Sequence, residues 1–162
     1  LSTYFSGGKA IDLACGLGGN SIFLAQLGFH VTAVDISDVA IHYVQEQAKI
    51  KNLSIEAFVS DLTSLQSLQL DDNKFDLAVI TYYLDRNLFP FVTSIVRKGG
   101  YIFIETFYKT PLLGEKNKHV SDRYKLCSNE LLDTFKSWQI LYFEENEQEG
   151  IQTIFARKIR GR

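Results

Sequence analysis

Two cysteines, Cys15 and Cys127, are too few for a disulfide framework, so the chain is not a small secreted fold held by cross-links. Free thiols in a cytoplasmic protein are the expectation. Only three histidines occur, and no group of His, Cys and acid has metal-ligand spacing, which predicts no metal. Neither sign of charge dominates: 17 Lys and Arg face 19 Asp and Glu, for a net charge of −2. A nucleic-acid or membrane partner therefore has no global electrostatic support. No apolar run reaches the ~18 residues that a membrane span needs, and no signal peptide is visible. Methionine is absent altogether. The opening "LSTYFSGG" reads as the end of a helix and a glycine turn, which implies a segment ahead of Leu1.

What is present is apolar and periodic. With 162 residues, 46% of them hydrophobic, the chain has the size of a single domain with a real core. Strands are predicted at Lys9–Ala14, His30–Val34, Ile55–Val59, Phe75–Thr81 and Tyr101–Phe107. Between them lie a helix over Ser21–Leu27 closed by Gly28, and one capped by Ser37 with Ile41, Val44 and Ala48 on one face. A third helix has Pro90 in its first turn and ends before "RKGG", and a short one covers Ser128–Lys136. Nearly continuous apolar strands alternating with helices predict an α/β, doubly wound, mostly parallel sheet covered on both faces. The closing strands "WQILYFE" and "IQTIFARKI" are separated only by "ENEQEG", so they must pair antiparallel. The one compositional shift is the loop Lys109–Lys125, with five Lys or Arg against two acids.

Chemistry concentrates at "DLACGLGGNS", a strand that runs into a tight turn and then a helix. Gly16, Gly18 and Gly19 are too few for a full dinucleotide fingerprint, because Ser21 fills the last slot. A phosphate-binding P-loop would need a lysine that is absent. Asp12, four residues before Gly16, would repel pyrophosphate and attract a cationic ligand. Asp35 follows Gly16 by 19 residues, the spacing at which an acid reaches ribose hydroxyls. Asp61, after the third strand, is placed to accept from an adenine amino group. Three strand-end acids suit S-adenosylmethionine, a nucleoside with an amino group at each end and no phosphate. They suit a nicotinamide dinucleotide poorly, which leaves an oxidoreductase as the weaker rival.

"DLACGLGGN", "AVDIS", "SDL" and "FDLAVITYYLDR" resemble the class I S-adenosylmethionine-dependent methyltransferases over almost the whole chain. Within them, "CGLGGNSIFLA" and the ending "ELLDTFKSWQILYFEE…FARK" are similar to the tellurite-resistance methyltransferase group. The resemblance implies a seven-stranded sheet with an antiparallel seventh strand, and methyl transfer that leaves S-adenosylhomocysteine. It implies that Asp12, Ala14, Gly16, Gly18 and Asn20 line the methionine part, and that Asp35 and Ile36 hold ribose and adenine. Asp61 and Leu62 then hold the adenine edge, with Thr81 beside the sulfonium. Many relatives have glycine where this chain has Ala14, and tellurite-resistance members carry a longer insertion between the last strands. No Asn-Pro-Pro-Tyr-like motif follows the fourth strand, so adenine or amide nitrogen is not the implied acceptor.

On the acceptor side, the candidates are Tyr82, Tyr83, Arg86 and Glu105, with His119 and Arg123 from the basic loop. Tyr83, Arg86 and Glu105 are the candidate catalytic residues. Arg86 has a plainer reading, a salt bridge to Asp85 or a role at a helix start, and Glu105 a plainer one as a backbone partner. Cys15, His30 and His42 read as packing or surface positions. No side chain here is expected to be an essential general base: tyrosine and arginine are not ready bases at neutral pH, and Glu105, the one acid placed to serve, would need its pKa raised. The expected acceptor is therefore small and soft or already ionised, and positive charge on the loop favours an anionic one. The alternative is a non-catalytic S-adenosylmethionine-binding module or a partner subunit.

Overall fold

The computed structural model describes residues 7–64, 70–72, 74–112 and 116–159. The reading of the opening as a helix end falls on residues 1–6, outside the described residues. Seven strands form one sheet, β1 (Gly8–Leu13), β2 (Phe29–Asp35), β3 (Ile55–Val59), β4 (Phe75–Thr81), β5 (Val96–Phe107), β6 (Gln139–Asn146) and β7 (Ile151–Arg157). The order across the sheet is β3-β2-β1-β4-β5-β7-β6. The first five strands run parallel, and β7 pairs antiparallel with both β5 and β6. This is the expected doubly wound sheet. Strand order reverses at β1, so a crevice opens at the C-terminal ends of β1 and β4, where open sheets of this kind take ligands.

The two faces differ in what covers them. On one, Ile11, Leu13, Val34, Ile80, Ile102, Ile104 and Ile154 pack under α3 (Leu88–Ile95) and α4 (Glu130–Thr134). Phe135 and Trp138 close this core edge to face at 5.4 Å. On the other, Ala10, Val31, Leu77 and Val79 meet Leu24 of α1 (Gly19–Gln26). The fourth helix in the layer scheme, α2 (Asp38–Ile50), buries Ala40, Ile41, Val44 and Ala48, the stripe read from its period. Ser37 caps it as expected, accepting from the Ala40 N–H at 3.1 Å.

Boundaries shift where local pattern is blind to tertiary pairing. The β5 strand starts at Val96, not Tyr101, because Val96 pairs with Phe75 of β4 before a bulge restores the register at Leu77–Tyr101. Helix α4 is shorter than its pattern. Asn129 takes a left-handed φ of 64° just before it, and Trp138 turns back on Phe135. Below the sheet, the C-terminal carbonyls of α3 would be orphaned on burial. Lys158, 1% exposed, donates to Thr93 O and Val96 O. Lys158→Met keeps the stem and strands both acceptors. It should lower the unfolding free energy by about 1–3 kcal/mol in urea titration, and no loss would show that the ammonium stabilises nothing.

Candidate functional site

The glycine turn is fixed by its neighbours. Ala14 takes φ of 61°, a left-handed conformation that costs a side-chain-bearing residue roughly 1–2 kcal/mol. That is why glycine is the natural choice there and why alanine is tolerated. Gly18 has φ of 81°, and a Cβ on it would lie 2.7 Å from Val44 Cγ2. Here α2 packs against the turn too closely for any other residue. Asp35 closes the turn from the side: its Oδ2 accepts from Gly16 N–H at 2.9 Å and its Oδ1 from Ser37 N–H at 2.9 Å. One lone-pair site on each oxygen remains for hydroxyl groups.

Asp12 lies beneath the turn, 1% exposed. Its Oδ2 accepts from Ser21 Oγ at 2.7 Å, while its Oδ1 is buried and has no donor among the described residues. Burial pushes the carboxyl up to about 6, against the pull of the Ser21 bonds and with a further push from Asp35. Ser21, which breaks the dinucleotide pattern, is thus the orienting partner of Asp12. Burial also pushes the neighbouring Cys15 thiol up to about 12, helped by Asp12 and Asp35, so Cys15 is no thiolate nucleophile. Asn20 reaches from α1 to Thr81 Oγ1 at 3.0 Å and ties the helix to the end of β4.

A cavity of about 280 Å³ is lined by Ala14, Asp35, Ile36, Asp61, Leu62, Thr63 and Tyr83. Five of these were expected to line a cofactor site on sequence grounds, and Tyr83 was expected on the acceptor side. Thr63 was missed. Its signal was the Asp61-Leu62-Thr63 turn, in which Asp61 Oδ1 accepts from Thr63 N–H and Oγ1. Those bonds hold the Asp61 carboxyl below its ordinary range.

A second cavity, of about 640 Å³, shares Thr63 and Tyr83 with the first. It runs from Tyr82 and Phe107 to Arg123 and Tyr124 of the basic loop. Tyr82 donates to Glu105 Oε2 at 2.7 Å, and Thr153 Oγ1 donates to Glu105 Oε1 at 2.7 Å. Burial, then Glu105, raises the Tyr82 phenol well above its usual range. Glu105 thus binds side chains, where the plain expectation was backbone. Arg86 does not pair with Asp85. Its Nε and Nη2 fork onto Glu130 at 2.6 and 2.9 Å, and Nη2 also reaches Lys125 O. Asp85 instead accepts from Asn87 N–H ahead of α3. The fork fastens the end of the basic loop to the turn after β4, so Arg86 acts here as a clamp. His119 is exposed and does not line the cavity, whereas Arg123 does. His30, bonded to Ser54 Oγ, lies at the opposite end of the sheet, and His42 is exposed on α2.

The residues fit S-adenosylmethionine: a buried carboxylate oxygen without a donor for its ammonium group, a braced Asp35 for ribose, and an apolar cavity ending at Asp61 for adenine. The family model for tellurite resistance protein TehB matches residues 2–155. The chain belongs to the TehB family. A probable S-adenosyl-L-methionine-dependent methyltransferase TehB of Haemophilus influenzae is 27% identical over 145 residues, covering 87% of this chain and 49% of that protein. The chain thus spans about half the length of the curated relatives it matches. The crystal structure of TehB from Haemophilus influenzae superposes with a TM-score of 0.81 at 25% identity, over 97% of this chain and 59% of that one. A geranyl diphosphate C-methyltransferase from Streptomyces coelicolor, solved with S-adenosyl-L-homocysteine, shares the fold at a TM-score of 0.76 and 13% identity. That match covers 94% of this chain and 74% of the other. Among the described residues no helix is long and apolar enough to cross a membrane, and no group of three potential metal ligands occurs.

The raised Asp12 carboxyl has a sign that can be checked in the unloaded chain. Its stabilising contribution is complete below the ordinary value of 3.8 and is lost as pH rises through about 6. Asp12→Asn keeps an acceptor for Ser21 and removes the titration. The stability of the variant relative to the unaltered chain should therefore grow from pH 4 to pH 8, by up to about 3 kcal/mol. Urea unfolding at the two pH values measures this, and an equal gap at both would contradict the burial argument.

Proposed function

We propose that the chain is a methyltransferase that uses S-adenosylmethionine and acts on a small, anionic acceptor in the cytoplasm, where the free thiols Cys15 and Cys127 would be stable. The observation that carries this reading is the pair of joined cavities. One holds the strand-end acids Asp35 and Asp61, and the other opens from the shared Tyr83 toward Arg123.

When bound, S-adenosylmethionine supplies a methyl group already activated by its sulfonium. The chain's own work is then to bind, orient and exclude water, and alignment of this kind can contribute ~7–11 kcal/mol. Asp12 would take the ammonium group and Asp35 the two ribose hydroxyls. Ile36, Leu62 and Ala14 would flank the adenine, with Asp61 at its amino edge. Asn20 and Thr81 brace the end of β4, where the methyl group would lie. Arg123, with its guanidinium 5.0 Å from the Tyr124 ring, is presented at the mouth of the larger cavity as a docking point for an anion. Arg86 is engaged by Glu130 and serves to hold that loop in place.

Calorimetry and a transfer assay with labelled methyl donor test this together. S-adenosylmethionine should bind and NADH should not. Asp35→Ala should weaken binding by ~2–4 kcal/mol, because a half-buried carboxylate loses its ribose bonds. Replacing His119 and Arg123 together by alanine should leave cofactor affinity nearly intact and reduce transfer to small anionic acceptors. A drop in cofactor affinity with transfer per bound cofactor unchanged would place the loop on the cofactor side. Tight binding with no transfer to thiols, selenide, phenols or amines would favour a non-catalytic binding module.

A further inference from the structure

The turn after β4 carries an aromatic residue in an expensive conformation. Tyr82 has φ of 56°, in the left-handed region that tyrosine rarely enters. Two bonds to one residue hold it there: its N–H donates to Glu105 O at 2.7 Å and its phenol to Glu105 Oε2 at 2.7 Å. The ring leans on Phe107 with centroids 5.3 Å apart. The other Glu105 oxygen accepts from Thr153 on β7. An ionised carboxylate can only accept, so both hydroxyl protons point inward at Glu105. The Tyr82 oxygen therefore keeps lone pairs, and no proton, for a further partner, on a residue that lines the larger cavity and is 47% exposed.

We propose that Tyr82 and Glu105 form a proton relay for an acceptor whose nucleophilic atom arrives bearing a proton. This rests on the methyl-transfer reading above and departs from the expectation of an ionised acceptor, which weighed each side chain alone. The acceptor's X–H donates to the Tyr82 oxygen, which aims a lone pair of X along the cavity. As X bonds to the methyl carbon, the carbon–sulfur electron pair returns to sulfur, and X–H becomes strongly acidic. Its proton passes to the Tyr82 oxygen while the phenolic proton passes to Glu105 Oε2, and the X–H electrons stay on X. Glu105, half-buried beside an exposed tyrosine, then returns the proton to water. A carboxylate suffices because the proton leaves only once bond formation has made it acidic. Tyr82 touches the acceptor and is the catalytic residue, whereas Glu105 acts through it as a positioning residue and proton sink.

Two acceptors test the relay, one with that proton and one with a methyl group in its place: 3-mercaptopropionate and its S-methyl thioether, both with the carboxylate that Arg123 would hold. Tyr82→Phe and Glu105→Gln should each lower the ratio of thiol rate to thioether rate by about a hundredfold, the low side of what positioned proton transfer contributes. Gln keeps an acceptor for the phenol but cannot take a proton, and a merely structural defect would slow both acceptors alike. In the free protein, the tyrosine Cζ carbon signal that Tyr82→Phe removes should move in Glu105→Gln. An unchanged rate ratio in either variant, or an unmoved Tyr82 signal, overturns the relay. Absence of transfer by the unaltered chain to both of these and to selenide, phenols and amines overturns the methyl-transfer reading instead, and the relay falls with it.

Discussion

Asp12 is held almost entirely out of water, with one oxygen bonded to Ser21 and the other without a donor among the described residues. Burying a carboxylate in this way is unfavourable unless it is paired, and the fold leaves one oxygen of it so beneath the glycine turn. The elements around it support that arrangement. β1 delivers Asp12 to the sheet's C-terminal edge, and Ala14 and Gly18 turn the chain over it in left-handed conformations. Asp35 then ties the turn to the start of α2 through Gly16 and Ser37. A cation arriving at the Asp12 oxygen would relieve the burial cost, so on the proposed reading the same feature that weakens the fold would select a cationic ligand and disfavour pyrophosphate.

The acceptor side is organised by two carboxylates with different duties. Glu130 spends itself on Arg86 and on Cys127 N–H, joining α4, the end of the basic loop and the turn after β4. Glu105 accepts two hydroxyl protons, one from Tyr82 in the turn after β4 and one from Thr153 on β7. The first shapes the cavity and the second sets its hydrogen-bond polarity. A specificity that depends on a proton at the acceptor atom would follow from the second and not from the charge of the loop.

The sheet and the glycine turn at the end of β1 were legible because their signals are local. Apolar runs, glycine turns and strand-end acids sit within a few residues of one another, and α2 announced both its cap and its stripe. What lay beyond reach depended on register. The partnership of Tyr82, Glu105 and Thr153 needs β4, β5 and β7 side by side, with Thr81 opposite Glu105 and Glu105 opposite Thr153. Nothing in the linear spacing states that alignment. Arg86 was misread for the same reason: its partner lies 44 residues away, and the adjacent Asp85 was the only acid in view. The early start of β5 is a third case, fixed by pairing across a bulge.

If the half-paired carboxylate is the anchor for a cationic nucleoside, binding must change its protonation. Burial holds the Asp12 carboxyl up at about 6, and a neighbouring ammonium group would pull its pKa down and expel the proton. Calorimetric titration with S-adenosylmethionine at pH 6, in two buffers of different ionisation enthalpy, measures that directly. The account expects protons to be released on binding in the unaltered chain and the release to shrink sharply in Asp12→Asn. Binding heats that are the same in both buffers, or a release that survives unchanged in Asp12→Asn, would contradict it.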